Sequence, residues 1–236
     1  MPISLDGEPG VILHTRPYKE NSLLVELYTL NYGRISAVAR LSKKVASRSK
    51  GAYQPFLLLK MTLSQGRGQL WQLKDVFLQR AGFALEVPQI FIAQYLNELL
   101  FYLIKTRESD PQLFASYIKV LEALERKEES YLSSLREFEL TLIEGLGYGL
   151  SFLDTNSFQI EDDGKYIFDP HNGFCRANIS SKQVLDGRTI KLIEAREFAS
   201  KEVLQALKMI NKSVISTLLD GKQLKSRELY AQYLMV

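Results

Sequence analysis

The sequence predicts an α+β protein in which an N-terminal five-stranded barrel is followed by an all-helical domain with a small β-hairpin excursion. Five short segments with strand-like alternation, separated by turn residues, lie within residues 10–75. Helical periodicity begins after Pro88. The charge is also uneven: residues 1–80 hold twelve Lys or Arg and five Asp or Glu, whereas residues 81–236 hold eighteen and twenty-two. We therefore predict two domains, at residues 1–80 and 81–236.

The predicted strands are short, and in the second of them Leu23, Val25 and Leu27 share one face. Five such strands joined by tight turns favour a small closed barrel, because closure leaves no exposed strand edge. An OB-fold is the commonest five-stranded barrel that binds single strands, and an SH3-like barrel is the other candidate. The predicted strands are residues 10–14, 22–30, 34–39, 56–63 and 69–73.

The helical domain is predicted from apolar periodicity and from its start and stop signals. Asp110-Pro111 is a typical helix start, and Gly147 and Gly149 follow the end of the next helix. The predicted helices are residues 89–105, 111–126, 132–146, 201–219 and 224–234. Between the third and fourth helices, at about residues 155–178, we predict a hairpin in which residues 158–160 and 166–168 pair around the turn at 162–164.

Composition excludes several classes of protein. With 46% hydrophobic and 24% charged residues among 236, global disorder is excluded. No apolar run approaches the roughly 20 residues that cross a bilayer, and we see no export signal. Cys175 is the single cysteine, so an intrachain disulfide cannot form. We expect a cytoplasmic, nucleoid-associated protein.

No set of residues with catalytic or metal-binding spacing is apparent. His14 and His171 each lack a second ligand at zinc spacing. The Asp162-Asp163-Gly164 turn lacks the spacing of a calcium loop. Gly66 and Gly68 lack the further glycine of a dinucleotide fingerprint. We therefore predict a protein that is not an enzyme and has no cofactor or metal, and a nuclease is disfavoured for the same reason.

The 48 residues between Glu26 and Asp75 contain nine basic residues and no acidic one, which indicates a polyanionic partner. Aromatic residues are interleaved with these cations, as single-strand binding requires, although about half of them are expected to fill the barrel core. They are Tyr18, Tyr28, Tyr32, Tyr53 and Trp71. An OB-type barrel does not distinguish DNA from RNA by sequence alone, so an RNA-binding factor remains the alternative. The residues predicted to contact nucleic acid are Arg34, Arg40, Lys43, Lys44, Arg48, Lys50, Tyr53 and Arg67.

Several blocks along nearly the whole chain, in order, resemble one family, the bacterial recombination-repair mediator RecO. Each block is weak alone, but the ordered set is specific. The blocks are Arg16-Pro-Tyr18 with Glu20, Ser22-Leu-Leu24, Gly33-Arg34, Val38-Ala-Arg40, Gly51 to Phe56, Gly66-Arg-Gly68, Tyr95 to Leu100, Leu113-Phe114, Arg136-Glu-Phe-Glu139, Leu146-Gly-Tyr-Gly149, Ala195-Arg196 and Leu224 to Leu229.

The resemblance implies a DNA repair and recombination mediator of the RecFOR pathway. Such a protein binds single- and double-stranded DNA, anneals complementary strands and helps load recombinase onto DNA coated with single-stranded DNA-binding protein (SSB). The implied partners are RecR and the acidic, hydrophobic C-terminal tail of SSB, with recombinase as an indirect one. Many members carry a four-cysteine zinc site, but Cys175 alone implies the zinc-free branch. For the SSB tail we predict Arg136, with Leu135 and Phe138 beside it.

Overall fold

The computed structural model describes residues 3–41, 50–66, 68–80, 82–178 and 180–235. Packing divides the chain into two compact units. The first comprises Met1–Lys127 and Leu224–Val236, and the second comprises Glu128–Gln223. The change from strands to helices near residue 80, where the sequence suggests a domain boundary, lies inside the first unit. No helix among the described residues is long and apolar enough to cross a membrane.

The first unit contains the predicted five-stranded barrel. The ring of strands runs β1-β2-β3-β5-β4 and closes because β1 also pairs with β4. The contact between β3 and β5 is parallel, and the other four are antiparallel. This topology is the OB-type alternative. The strands are β1 (Ile3–Pro17), β2 (Ser22–Thr29), β3 (Gly33–Arg40), β4 (Leu59–Gln65) and β5 (Trp71–Leu78).

The main difference from the predicted strands is the length of β1, which begins at Ile3 instead of Gly10. Its first part pairs with β4 and its second part with β2, and the register shifts between Leu5 and Glu8. The bulge at this shift includes Gly7 with a φ of +67° and lets the strand bend from one partner to the other. Polar residues around the bulge interrupt the apolar alternation, so the sequence pattern does not predict this first part of β1. The fourth strand begins at Leu59, three residues later than predicted.

The barrel interior follows the predicted alternation. Val25 and Leu27 of β2 point inward, as do Ile35, Ala37 and Ala39 of β3, and all five are at most 1% exposed. The other face of β2 is also covered, since Tyr28 is fully buried on the outside of the barrel. The barrel is therefore packed inside and partly covered outside by helices of the same unit.

Among the described residues, three α-helices complete the first unit: α1 (Gln89–Leu103), α2 (Pro111–Glu125) and α6 (Lys225–Leu234). Asp110 caps α2 as predicted, because its side chain accepts a hydrogen bond of 2.9 Å from the Leu113 N–H. Asn97 ties α1 to the barrel by donating to the Leu13 carbonyl at 3.2 Å, and it accepts a 2.7 Å hydrogen bond from the Tyr117 hydroxyl.

The second unit consists of three helices and a small antiparallel sheet of order β7-β6-β8. The first helix ends as predicted, with Gly147 at φ +83° and the Tyr148 N–H donating to the Ile143 carbonyl at 3.0 Å. The elements are α3 (Tyr131–Gly145), β6 (Lys165–Asp169), β7 (Gly173–Arg176), β8 (Leu185–Asp186), α4 (Gly187–Glu194) and α5 (Lys201–Leu219).

A hairpin is present in the predicted region, but the predicted pairing within it is wrong. Strand β6 pairs with β7 across residues 170–172 and not with residues 158–160. The Asp154 carboxylate accepts hydrogen bonds from the Asn156 and Phe158 N–H groups and holds that segment in a turn. In the true hairpin turn, N–H groups of Asn172 and His171 donate to Asp169 and lower the pKa of its carboxyl.

Candidate nucleic-acid interface

One end of the barrel gathers exposed basic and aromatic side chains. The turn between β1 and β2 closes through a 3.0 Å hydrogen bond from the Tyr18 N–H to the Ser22 carbonyl, with Asn21 at φ +58°. The end of β3 joins this turn, since the Leu41 N–H donates to the Asn21 carbonyl at 2.8 Å. We call this surface the basic end; its members, all exposed, are Arg16, Tyr18, Lys19 and Arg40.

The geometry of the basic end suits a single strand. Tyr18 is 44% exposed, and the Lys19 Nζ lies 5.5 Å from the centre of its ring. A ring flanked by cations offers a stacking face for a base and a positive partner for the adjoining phosphate. Glu20 is the one acidic side chain in the same turn. Of the residues predicted to bind nucleic acid, Arg40 lies on this surface.

Four of the other predicted contacts lie outside the described residues, whereas Lys50 lies inside them. Lys50 begins a short 3-10 helix, Lys50–Ala52. In the sequence, residues 42–49 follow Leu41 and contain three of the predicted cations. The predicted contacts outside the described residues are Lys43, Lys44, Arg48 and Arg67.

Arg34 does not fit the predicted role of a phosphate contact. Its Nη1 lies 3.7 Å from the Glu26 carboxylate, and its side chain is only 20% exposed. Its guanidinium also lies 5.4 Å from the centre of the Phe101 ring. A cation already paired and shielded in this way adds little to phosphate binding. Arg34 instead supports Phe101.

Burial also separates the predicted aromatic residues. Tyr53 is 8% exposed and packs in the barrel core, so its ring does not fit the predicted contact with a base. Burial, with Asp75 nearby, raises the pKa of its hydroxyl. Tyr28 and Trp71 are buried as well, and Tyr32 packs partly against the core. Tyr18 is the exposed aromatic residue of this set. The sequence signal that identifies it is its position between Arg16 and Lys19, in a turn without apolar periodicity.

The three residues predicted to bind the SSB tail lie inside the second unit. Phe138 is fully buried and Leu135 is 5% exposed. Arg136 is 9% exposed, and its Nη1 donates to the Glu139 carboxylate at 2.5 Å. An apolar slot with a cation at its edge requires exposed side chains, so this placement does not fit the predicted groove. Sequence periodicity does not reveal that Arg136 is buried, because an ion pair between residues three apart on a helix is usually at the surface.

A cavity elsewhere in the second unit has the chemistry that such a tail requires. It has a volume of about 220 Å³, between the small sheet and α5. Ile167, Phe168 and Met209 provide apolar walls, and Lys182 and Lys212 provide cations. An acidic and hydrophobic peptide is complementary to this combination.

Metal-binding and acid–base groups are sparse in the part of the chain that the structure describes. No group of three or more His, Cys, Asp or Glu there could hold a metal ion. Asp162 is paired with Lys191 at 2.5 Å, and Asp163 with Arg188 at 2.9 Å. Their turn is therefore a site of surface ion pairs. Cys175 is partly buried in β7.

Comparison with known proteins connects both halves of the chain to one group. The family model described as "Recombination protein O N terminal" matches residues 6–80, and "Recombination protein O C terminal" matches residues 87–228. The chain is 35% identical over 231 residues to DNA repair protein RecO of Tolumonas auensis, covering 97% of this chain and 96% of that protein. It is 32% identical over 232 residues to the RecO protein of Serratia proteamaculans, with 97% and 95% coverage.

Proposed function

This chain belongs to the RecO family of DNA repair proteins, and we propose that it is a non-enzymatic mediator that binds single- and double-stranded DNA and anneals complementary strands. We also propose that it helps load recombinase onto DNA coated with SSB. The observation that carries the proposal is the basic end of the barrel, where an exposed ring lies among three cations. Phosphate contacts made there hold DNA without reading its sequence, because the phosphate group is the same at every nucleotide.

Annealing follows from the same chemistry. Two complementary strands repel each other, and a cationic surface that neutralises phosphates on both lowers this repulsion. A strand held through its backbone and one stacked base leaves its other base edges open for pairing. The basic end has these two properties, which supports annealing as the activity of the first unit.

We expect the basic end to dominate the affinity for single-stranded DNA. Replacing Arg16, Lys19 and Arg40 by glutamine removes three cations and should weaken binding of a labelled oligonucleotide by about 10- to 100-fold at physiological salt. The slope of log affinity against log salt should fall by about 2, since each contact to a single strand contributes about 0.7. Annealing of complementary strands coated with cognate SSB should slow in parallel.

The matched control is the loss of three exposed lysines elsewhere, Lys60, Lys74 and Lys208, also by glutamine. If both triple variants weakened oligonucleotide binding equally, binding would depend on net charge alone and the basic end would not be a binding site. A wild-type protein that neither binds nor anneals DNA would refute the proposed function. A matched RNA oligomer that competes more strongly than DNA would favour the RNA-binding alternative.

We also propose that the SSB tail docks in the cavity of the second unit. The slot formed by Phe168 and Met209 would take an apolar side chain, and Lys182 and Lys212 would pair with carboxylates. This location replaces the predicted one around Arg136, whose guanidinium already binds Glu139. RecR is proposed as a second protein partner on the strength of the family alone.

Charge reversal at this cavity should separate peptide binding from DNA binding. The double variant Lys182→Glu and Lys212→Glu should weaken binding of a fluorescent SSB-tail peptide by about tenfold or more, while oligonucleotide affinity stays within about twofold. Lys201→Glu with Lys208→Glu makes the same charge change on exposed positions of α5 and should leave peptide binding intact. Peptide affinity that is equal in the two variants would exclude this cavity.

A further inference from the structure

A second cavity, in the first unit, is lined by aromatic side chains and has no part in the function described so far. Its volume is about 360 Å³, and it lies between β1, residues 55–56, α1 and α6. His14, Phe56, Phe101 and Tyr102 contribute rings to its wall. The Phe101 ring lies 6.3 Å from His14 and 5.1 Å from Tyr102, between ring centres. The wall therefore presents flat aromatic faces beside the aliphatic side chains of Leu13 and Leu229.

The polar groups of this cavity are mostly occupied by bonds that build it. Asn97 donates to the barrel and accepts from Tyr117, as described above. Glu98 accepts hydrogen bonds from the N–H groups of Lys225 at 3.0 Å and Ser226 at 3.1 Å, and thus fixes the start of α6 against α1. The side-chain amide of Gln94 also lines the cavity and makes no hydrogen bond among the described residues, so it is available to a ligand.

The Phe101 ring is contacted by a cation that does not itself line the cavity. Arg34, which is paired with Glu26, lies 5.4 Å from the centre of the Phe101 ring. A ring contacted in this way loses less side-chain freedom when a flat ligand stacks on it, and preorganisation of this kind increases affinity. The pairing also explains why Arg34 is withdrawn from solvent.

The cavity is continuous with the basic end through β1. His14 and Arg16 are both exposed and two residues apart on the strand, so they share one face about 7 Å apart. Tyr18 and Lys19 follow in the adjoining turn. Lys225 adds a cation to the cavity lining. A polyanion that lies on the basic end therefore meets further cations and rings as it extends along β1.

We propose that this cavity receives one unstacked base of a single DNA strand held on the basic end. Phe101 and Tyr102 provide stacking faces, Gln94 offers hydrogen bonds to the base, and Lys225 pairs with a phosphate. The inference rests on the proposed function, since the strand must first bind at the basic end. A duplex keeps its bases stacked and paired, so the cavity favours single strands over duplexes.

The test compares Phe101→Leu with Phe77→Leu. Phe77 is 64% exposed on β5, opposite Lys60, and does not line the cavity. Phe101→Leu should weaken binding of a labelled oligothymidylate by roughly 5- to 100-fold, the range for loss of one stacked base, and change duplex binding by less than about twofold. Phe77→Leu should change neither.

A second measurement uses the unaltered protein and does not depend on how a variant folds. Ultraviolet crosslinking of an oligonucleotide that contains 5-iododeoxyuridine should attach it to the peptide carrying Phe101 and Tyr102. Single-strand affinity equal to wild type in Phe101→Leu, or crosslinks confined to other peptides, would overturn the inference while leaving the proposed function standing. Equal weakening of single-strand and duplex binding by Phe101→Leu would also overturn the inference. So would a Phe101→Leu protein that no longer binds a protein partner but retains its affinity for DNA. A wild-type protein that binds no DNA would refute the proposed function as well.

Discussion

Replacing Glu139 by alanine should lower the free energy of unfolding by about 3–5 kcal/mol, because it leaves the buried Arg136 without its counter-charge. Glu139 is 2% exposed and accepts a hydrogen bond from Arg136 at 2.5 Å. Asn211 of α5 also donates to it at 3.2 Å and to the Arg136 carbonyl at 3.1 Å. The pair therefore joins α3 to α5 within the second unit, and urea unfolding followed by circular dichroism measures the loss.

Glu129→Ala is the matched control, since this exposed carboxylate lies just before the same helix and should cost less than about 0.5 kcal/mol. The double variant Arg136→Met with Glu139→Leu removes both charges and should recover most of the stability, because apolar residues of similar size replace a buried ion pair at little cost. A Glu139→Ala protein as stable as the control would show that Arg136 reaches water. Arg136→Ala alone would likewise disturb the fold, so it cannot test docking of the SSB tail.

Gly33→Ala should destabilise the first unit by about 3 kcal/mol. Gly33 has a φ of +63°, which costs a non-glycine residue about 1–2 kcal/mol. A Cβ atom there would also lie 2.0 Å from the Glu108 carbonyl oxygen, and relieving such a contact costs about 1–3 kcal/mol more. The effect should appear as faster hydrogen exchange in β2 and β3, which this turn connects, and as a lower urea midpoint.

Gly147→Ala separates the two contributions to this effect. Gly147 also has a positive φ, of +83°, but a Cβ atom there would meet nothing within 4 Å. It should therefore cost only the conformational part, about 1–2 kcal/mol. If Gly33→Ala cost no more than Gly147→Ala, the segment around Glu108 would be free to move away and the close approach would not matter to stability.

Much of the secondary structure could be predicted because it depends on neighbours in the chain. Helix α5 has the predicted bounds, Lys201–Leu219, since its apolar period and the Ser200 cap are local features. The alternation in β2 and β3 predicts which side chains enter the barrel, because successive residues of a strand point to opposite faces. The predicted hairpin pairing was wrong because the choice of a strand's partner does not depend on the strand alone. Strand β6 could pair with residues 158–160 or with β7, and the turn held by the Asp154 side chain excludes residues 158–160.

The candidate sites depended on contacts between residues distant in the chain. Sequence charge indicated a polyanion partner, but it could not show that Arg34 is paired with Glu26 or that Tyr53 lies in the core. The same charged residue on a helix can face water or a neighbouring helix, and Arg136 faces the interior. The aromatic cavity was invisible because His14, Phe101 and Lys225 are far apart in sequence.

The amino-acid sequence by itself determined the family, the five-stranded barrel, the helices and the basic character of the first 80 residues. These follow from residue order, short-range periodicity and summed charge, which need no tertiary contact. Only the tertiary structure decided which cations and rings remain free for a ligand. It placed Tyr18 and Arg40 at the exposed basic end, buried Tyr53 and covered most of Arg34, because burial depends on what packs against a side chain from elsewhere in the chain.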